Sequence, residues 1–184
     1  MRVAAVGLLM GLLGCAGTPR RPPLMGPGAL DAATLQGRWH VLATTLPMWI
    51  EGDRREPTFD YTNLRREGER VRFDDTVGFV RDGARGTIEG VDTQHLEVPT
   101  HFTWRGKGWL VFFTSGWDVV AVDPGGRWAA ITFESILATP AGMDIISRRS
   151  SLDDATLTEA VGVLRGDPVL VPFLDCLVIL PARR

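Results

Sequence analysis

From Arg38 to about Arg149 the chain repeats one unit, a short stretch rich in β-branched and aromatic residues followed by a glycine-bearing link. Candidate strands run Arg38 to Leu46, Thr58 to Arg65, Arg70 to Val80, Gly86 to Asp92 and His101 to Arg105. Three more follow, Gly116 to Asp123, Arg127 to Glu134 and Gly142 to Arg148. The links REGE at Gly68, RDGA at Gly83, RGKG at Gly106 and DPGG at Asp123 to Gly126 suit hairpins. Consecutive strands are therefore predicted to pair antiparallel. Eight strands joined this way can close into an up-and-down barrel and leave no free edge. The fold class is mainly β, an eight-stranded antiparallel β-barrel. With 184 residues the chain supports one sizeable core rather than two domains.

After the strands comes SSLDDATLTEAVGVLRGD. Ser151 can cap a helix with Asp154 three residues on, and Leu157, Ala160, Val161 and Leu164 fall on one helical face. Gly166 ends the helix, which is predicted to pack outside the barrel ahead of a last strand, Leu174 to Leu180. Within that strand Cys176 reads as a buried small hydrophobe. Three local readings stay open. The stretch Trp109 to Thr114 does not alternate and is either strand or an apolar loop at the barrel end. The cluster Pro47-Met48-Trp49-Ile50 is either an exposed lid or membrane contact, or packs on the rim. The second strand lacks clean alternation, so its lumen residues are unassigned.

The first segment reads as an address. Arg2 precedes an apolar stretch from Val3 to Leu13 that is too short to span a bilayer as a helix. Residues 1–14 are read as a signal peptide. The tetrapeptide Leu12-Leu13-Gly14-Cys15 resembles the bacterial lipobox, which implies cleavage before Cys15 and a diacylglycerol on its thiol. Such acyl chains, at about 0.8 kcal/mol per buried methylene, hold a protein at a membrane. Ala16 is not the aspartate that retains such proteins at the inner membrane, so the resemblance implies the outer membrane of a bacterial envelope, facing the periplasm. Residues 15–34, with TPRRPPLMGPG, form a tether, and residues 35–184 the folded domain.

Composition excludes several functions. A formal charge of −2 offers no basic field for nucleic acid. His40, His95 and His101 lack a metal-ligand spacing, and no nucleophile, Cys-x-x-Cys or phosphate-loop motif appears. Asp74-Asp75 are neighbours on a strand and face opposite sides, and Asp153-Asp154 sit at a helix start where carboxylates are favoured, so neither pair reads as an acid/base couple. No catalytic residue, metal or cofactor is assigned.

Three patches carry a family resemblance. Leu35-Gln36-Gly37-Arg38-Trp39 opens the first strand, Trp117 to Asp123 reads WDVVAVD, and Ile145-Ile146-Ser147-Arg148 closes the eighth. Together with the outer helix they resemble the three motifs of the lipocalins, most closely the bacterial outer-membrane lipocalin lipoproteins. The resemblance implies a calycin barrel in which Gly37, Trp39, Asp123 and Arg148 are structural signature residues, with Arg148 stacked on Trp39 at the closed end. It also implies a lumen for a small hydrophobic ligand such as a fatty acid or lysophospholipid.

Taking Trp39 as inward, alternation predicts Val41 and Ala43 in the lumen. Matching the second and third motifs adds Trp117, Val119, Ala121, Ala129, Ile131, Phe133 and Asp144. An unpaired carboxylate at Asp144 is costly in an apolar site, so it pairs with an arginine, faces solvent after a register slip, or meets a polar ligand head. The favoured function is a lipid-anchored carrier of a small apolar molecule. The alternatives are a lipocalin-like enzyme acting on a lipid or isoprenoid, which needs further polar groups in the lumen, and a structural lipoprotein with a filled barrel. Oligomeric state is not readable.

Overall fold

The structure is a computed structural model that describes residues 30–136, 139–151 and 153–181. The signal segment and Cys15 lie outside the described residues. Eight strands form the barrel: β1 Gly37–Thr44, β2 Arg54–Glu67, β3 Arg70–Arg81, β4 Ala84–Gln94, β5 His101–Gly106, β6 Thr114–Val122, β7 Trp128–Phe133 and β8 Gly142–Ser147. Each pairs antiparallel with its sequence neighbour, and β1 closes the ring by pairing with both β8 and β2. The helix α1, Pro47–Ile50, sits in the β1–β2 connection.

The closing seam is short. β1 meets β2 only from Gly37↔Tyr61 to His40↔Thr58. Above that level a ninth strand, β9 Val178–Ile179, takes over, with Ala43 opposite Ile179 and Thr44 opposite Val178. The predicted strand Leu174 to Leu180 is thus only β9. The residues before it form the helix α3, Val171–Asp175. Pro172 suits a helix start, and Leu170, Phe173 and Leu174 bury one face at helical spacing. Cys176 follows this helix and is exposed, not buried.

The helix α2, Asp154–Arg165, packs outside the barrel through Thr156, Ala160 and Leu164. Its cap is Asp153 rather than Ser151, with the Asp153 carboxylate accepting from the Thr156 backbone N–H at 2.8 Å. An aspartate caps at least as well as a serine, and this one lies closer to the first buried turn.

Two bulges decide which alanines face the lumen. The β1–β8 register shifts between Val41 and Ala43, and the β6–β7 register between Val119 and Ala121. Each extra residue reverses the alternation. Val41 and Val119 stay in the inner cluster, while Ala43 and Ala121 join Trp128, Ala130, Met143 and Ile145 in the outer cluster beneath α2 and α3. The expectation that Ala43 and Ala121 line the lumen is therefore corrected.

The lower end is plugged. Residues Leu30, Ala32 and Leu35 pack into the inner cluster under Trp39, whose indole N–H donates to the Leu35 carbonyl at 2.7 Å. The Arg148 guanidinium carbon lies 3.8 Å from the centroid of the Trp39 ring. That guanidinium also donates to the carbonyls of Thr34 at 2.7 Å and Arg38 at 3.2 Å. Asp123 holds the β6–β7 turn, accepting from the Arg127 backbone N–H and from its guanidinium, each at 2.9 Å.

Candidate functional site in the mouth of the barrel

In an up-and-down barrel the odd-numbered strands here run away from the plug, so the β1–β2, β3–β4, β5–β6 and β7–β8 connections ring the opposite end. At that end lies a cavity of about 140 Å³. Its walls are mostly apolar: Leu46 and Trp49 from the first connection, Phe59 and Tyr61 from β2, Val77 and Ile88 from the β3–β4 hairpin, Trp104, Trp117 and Phe133. Asp75, Ser115, Glu134 and Thr139 supply the polar groups. Trp49 is 4% exposed and lies 6.3 Å from Phe79, so the Pro47–Ile50 segment packs on the rim.

The floor is a set of aromatic rings. Phe59 stacks on Tyr61 at 6.1 Å, Tyr61 on Trp117 at 5.9 Å, and Trp117 on Phe102 at 4.4 Å. Phe73 abuts both Tyr61 and Phe102. Below them, Val41, Val119, Ala129 and Ile131 fill the lower lumen. The cavity is thus confined to the upper part of the tube. Its volume is close to that of a cavity of about 150 Å³ known to hold benzene, and well below the roughly 300–1,000 Å³ of drug-sized pockets.

Three buried carboxyl groups face this lumen. Asp75 accepts from the Trp104 indole, and its Oδ1 has no partner. Asp92 Oδ1 accepts from the Trp117 indole at 2.7 Å, and its Oδ2 has none. Asp144 Oδ1 accepts from the Thr44 hydroxyl at 2.6 Å, and its Oδ2 has none. Burial pushes the Asp144 carboxyl up to about 7. Burial raises Asp75 and Asp92 as well, and the negative charge of Asp92 raises Asp75 further. Tyr61 is held well above its usual range by burial and then by these carboxylates. Of the three possibilities for Asp144, solvent exposure is not found, nor is an arginine partner among the described residues; it is fully buried against Thr44.

The β5–β6 connection settles the WLVFFT stretch as a loop. It holds a 3-10 helix, Gly108–Leu110, and β6 starts only at Thr114. Trp109 is 79% and Phe112 89% exposed, with Val111 and Phe113 also in the open.

No family model matches the chain, and no curated protein sequence matches it. Solved structures do. Lobster apocrustacyanin A1 superposes with a TM-score of 0.61 at 14% identity, covering 84% of this chain and 81% of that one. Apocrustacyanin C2 gives 0.58 at 15% identity, over 83% and 80% of the two chains. Apocrustacyanin C1 gives 0.56 at 14%, over 84% and 81%.

The fold is that of a lipocalin.

Within this lipocalin-like barrel, Trp117 and Phe133 are the two sequence-predicted residues that reach the cavity wall. Val41, Val119, Ala129 and Ile131 point inward but lie beneath the rings, and Asp144, paired with Ile131 across β7 and β8, is buried and does not reach the cavity wall. The sequence reading missed Asp75 and Asp92. Counting by twos from Phe73 would have turned Asp75 inward, since Phe73, Asp75 and Val77 share one face of β3. Gly90, opposite Asp75, leaves the space that the Trp104 indole occupies, so a side chain there would meet it.

Proposed function

We propose that this chain binds a small apolar molecule in the mouth of its barrel and works at a bacterial envelope membrane. The carrying observation is the aromatic-walled cavity above a packed floor. Convergent polar groups in an apolar concavity are the usual form of a ligand site. The volume supports a compact ligand, or one end of a longer chain, over a whole fatty acid or lysophospholipid in the enclosed space.

The membrane half of the reading is supported by Leu12-Leu13-Gly14-Cys15, with residues 1–14 as signal, acylated Cys15 as anchor and the following residues as tether. Ala16 favours the outer membrane, with the barrel facing the periplasm. The open apolar side chains of Trp109, Phe112 and Phe113, on the rim beside the cavity, suit contact with a lipid surface.

Organic extraction of the purified chain followed by mass spectrometry tests the binding reading. Recovery of a compact apolar molecule at a fixed stoichiometry is expected. A chain that extracts clean, and whose tryptophan fluorescence ignores a panel of small apolar probes, would overturn it in favour of a structural role. A second reading has one observation behind it: Asp75, Asp92 and Asp144 place protonatable groups in the lumen, as an enzyme acting on a lipid or isoprenoid by general acid chemistry requires. Recovery of a chemically altered molecule after incubation with a bound one would favour that reading.

A further inference from the structure

We infer that the cavity is built to seat the cationic head of a small apolar amine on the Asp75 carboxyl, with Asp92 behind it. This rests on the binding reading above and names the ligand's chemical class. Asp75 stands in the cavity wall, is 5% exposed, and keeps Oδ1 unpartnered. Asp92, fully buried on the adjacent strand, keeps Oδ2 unpartnered. In each carboxyl the other oxygen is tied to an indole N–H, from Trp104 and Trp117 respectively. What remains is two buried carboxyl oxygens without a partner among the described residues.

Among the described residues, the groups facing Asp75 supply no compensating cation. From β2 come Tyr61 and, on the outer face, Asp60, which is paired with Arg38. From β4 comes Asp92, from β5 and β6 the two indoles, and at the rim stands Glu134. Asp144 on β8 adds a third carboxyl acting on Tyr61. The neighbouring Asp74 points outward to Lys107 and Arg65, so those cations are spent elsewhere.

A buried carboxylate without a partner is costly, and burial raises both carboxyls, so a cation seated there relieves that cost and displaces the protons they take up without it. An ammonium is donor-only and matches acceptor oxygens, whereas a ligand carboxylate would oppose them. The surrounding Tyr61, Trp104 and Trp117 rings attract a cation as well. A divalent metal is the weaker occupant: among the described residues no three His, Cys, Asp or Glu side chains converge as ligands. The volume sets the rest of the molecule at about one ring, as a benzene-sized cavity does.

The test compares three probes of one shape, benzylamine, benzyl alcohol and benzoate, titrated against the full chain by calorimetry. Benzylamine is expected to bind about tenfold or more tightly than benzyl alcohol, and benzoate more weakly than either. Its binding should release protons, read from the dependence of the heat on buffer ionisation. Asp75→Asn should abolish the preference for amine over alcohol, read as the ratio of the two affinities within the same variant. Equal binding of amine and alcohol by the unaltered chain overturns the inference while leaving the binding reading intact, and requires no folded variant. A preference that survives in folded Asp75→Asn overturns the assignment to Asp75. Failure of all three probes, with nothing extracted from the purified chain, overturns both.

Discussion

Gly37 and Arg148 meet at the base of the barrel: a Cβ on Gly37 would lie 3.1 Å from Arg148 Nη1, and Gly37 itself has φ +98°. The glycine of the Gly-x-Trp motif therefore does two things at once. It takes a backbone conformation that other residues resist, and it leaves room for the guanidinium that covers Trp39.

Arg148→Ala removes a cation–π contact and two hydrogen bonds to backbone carbonyls. A loss of about 2 kcal/mol is expected in chemical denaturation. Arg148→Lys should recover less than half, because a point cation cannot lie flat on the ring. Gly37→Ala should also destabilise, through strain and the crowded guanidinium.

Asp144 makes stability depend on pH. Its carboxyl is raised from 3.8 to about 7 in the folded chain, so the native state holds a proton that the unfolded state releases. That contribution is complete below the unfolded value and is lost as pH rises through the folded one. Over this window stability should fall by on the order of 1 kcal/mol per pH unit for such a group. Asp144→Asn should flatten the slope and raise the melting temperature at pH 7 to 8. Asp75 and Asp92 push the same way, so part of the slope should remain.

The rim loop offers a separate test. With Cys15→Ser removing the proposed anchor, the chain should still sediment with lipid vesicles through Trp109, Phe112 and Phe113. Trp109→Ser with Phe112→Ser should lower vesicle binding about tenfold or more, since each removes roughly 1.5–3 kcal/mol of apolar burial if inserted. Both side chains are largely in solvent, so the melting temperature should not move. Unchanged vesicle binding would remove the loop from the membrane reading.

Asp153→Ala should cost about 1 kcal/mol, because the α2 cap loses its acceptor for the Thr156 N–H. Ser151→Ala should cost little. Paired denaturation curves decide between the two caps.

The barrel was legible because its signals are local: alternating β stretches, glycine at the hairpins, and an amphipathic helix. Lumen parity was less so, because it depends on single inserted residues. The bulges beside Val41 and Val119 leave no mark in the sequence around Ala43 and Ala121, whose side chains suit either face. Phe59 and Tyr61 were hidden by β2, where the register slips at two points and Asn63 has φ 51°. On β4 the inward positions are Ile88, Gly90 and Asp92, too weakly apolar to declare a face. The DCLVIL run has β-forming residues, yet tertiary packing of Phe173 and Leu174 turns the preceding residues into helix.

The seam has a consequence for how the polypeptide is made. β2 leaves β1 after His40↔Thr58, and the vacant upper edge is covered by Val178–Ile179, more than a hundred residues later in synthesis. During translation that edge stays uncovered until Val178 and Ile179 have been made, and a nascent or truncated product ending before Val178 would expose it to strand pairing between molecules. Val178 and Ile179 therefore act as a latch on assembly, and chains terminated before them should aggregate even though all eight barrel strands are present.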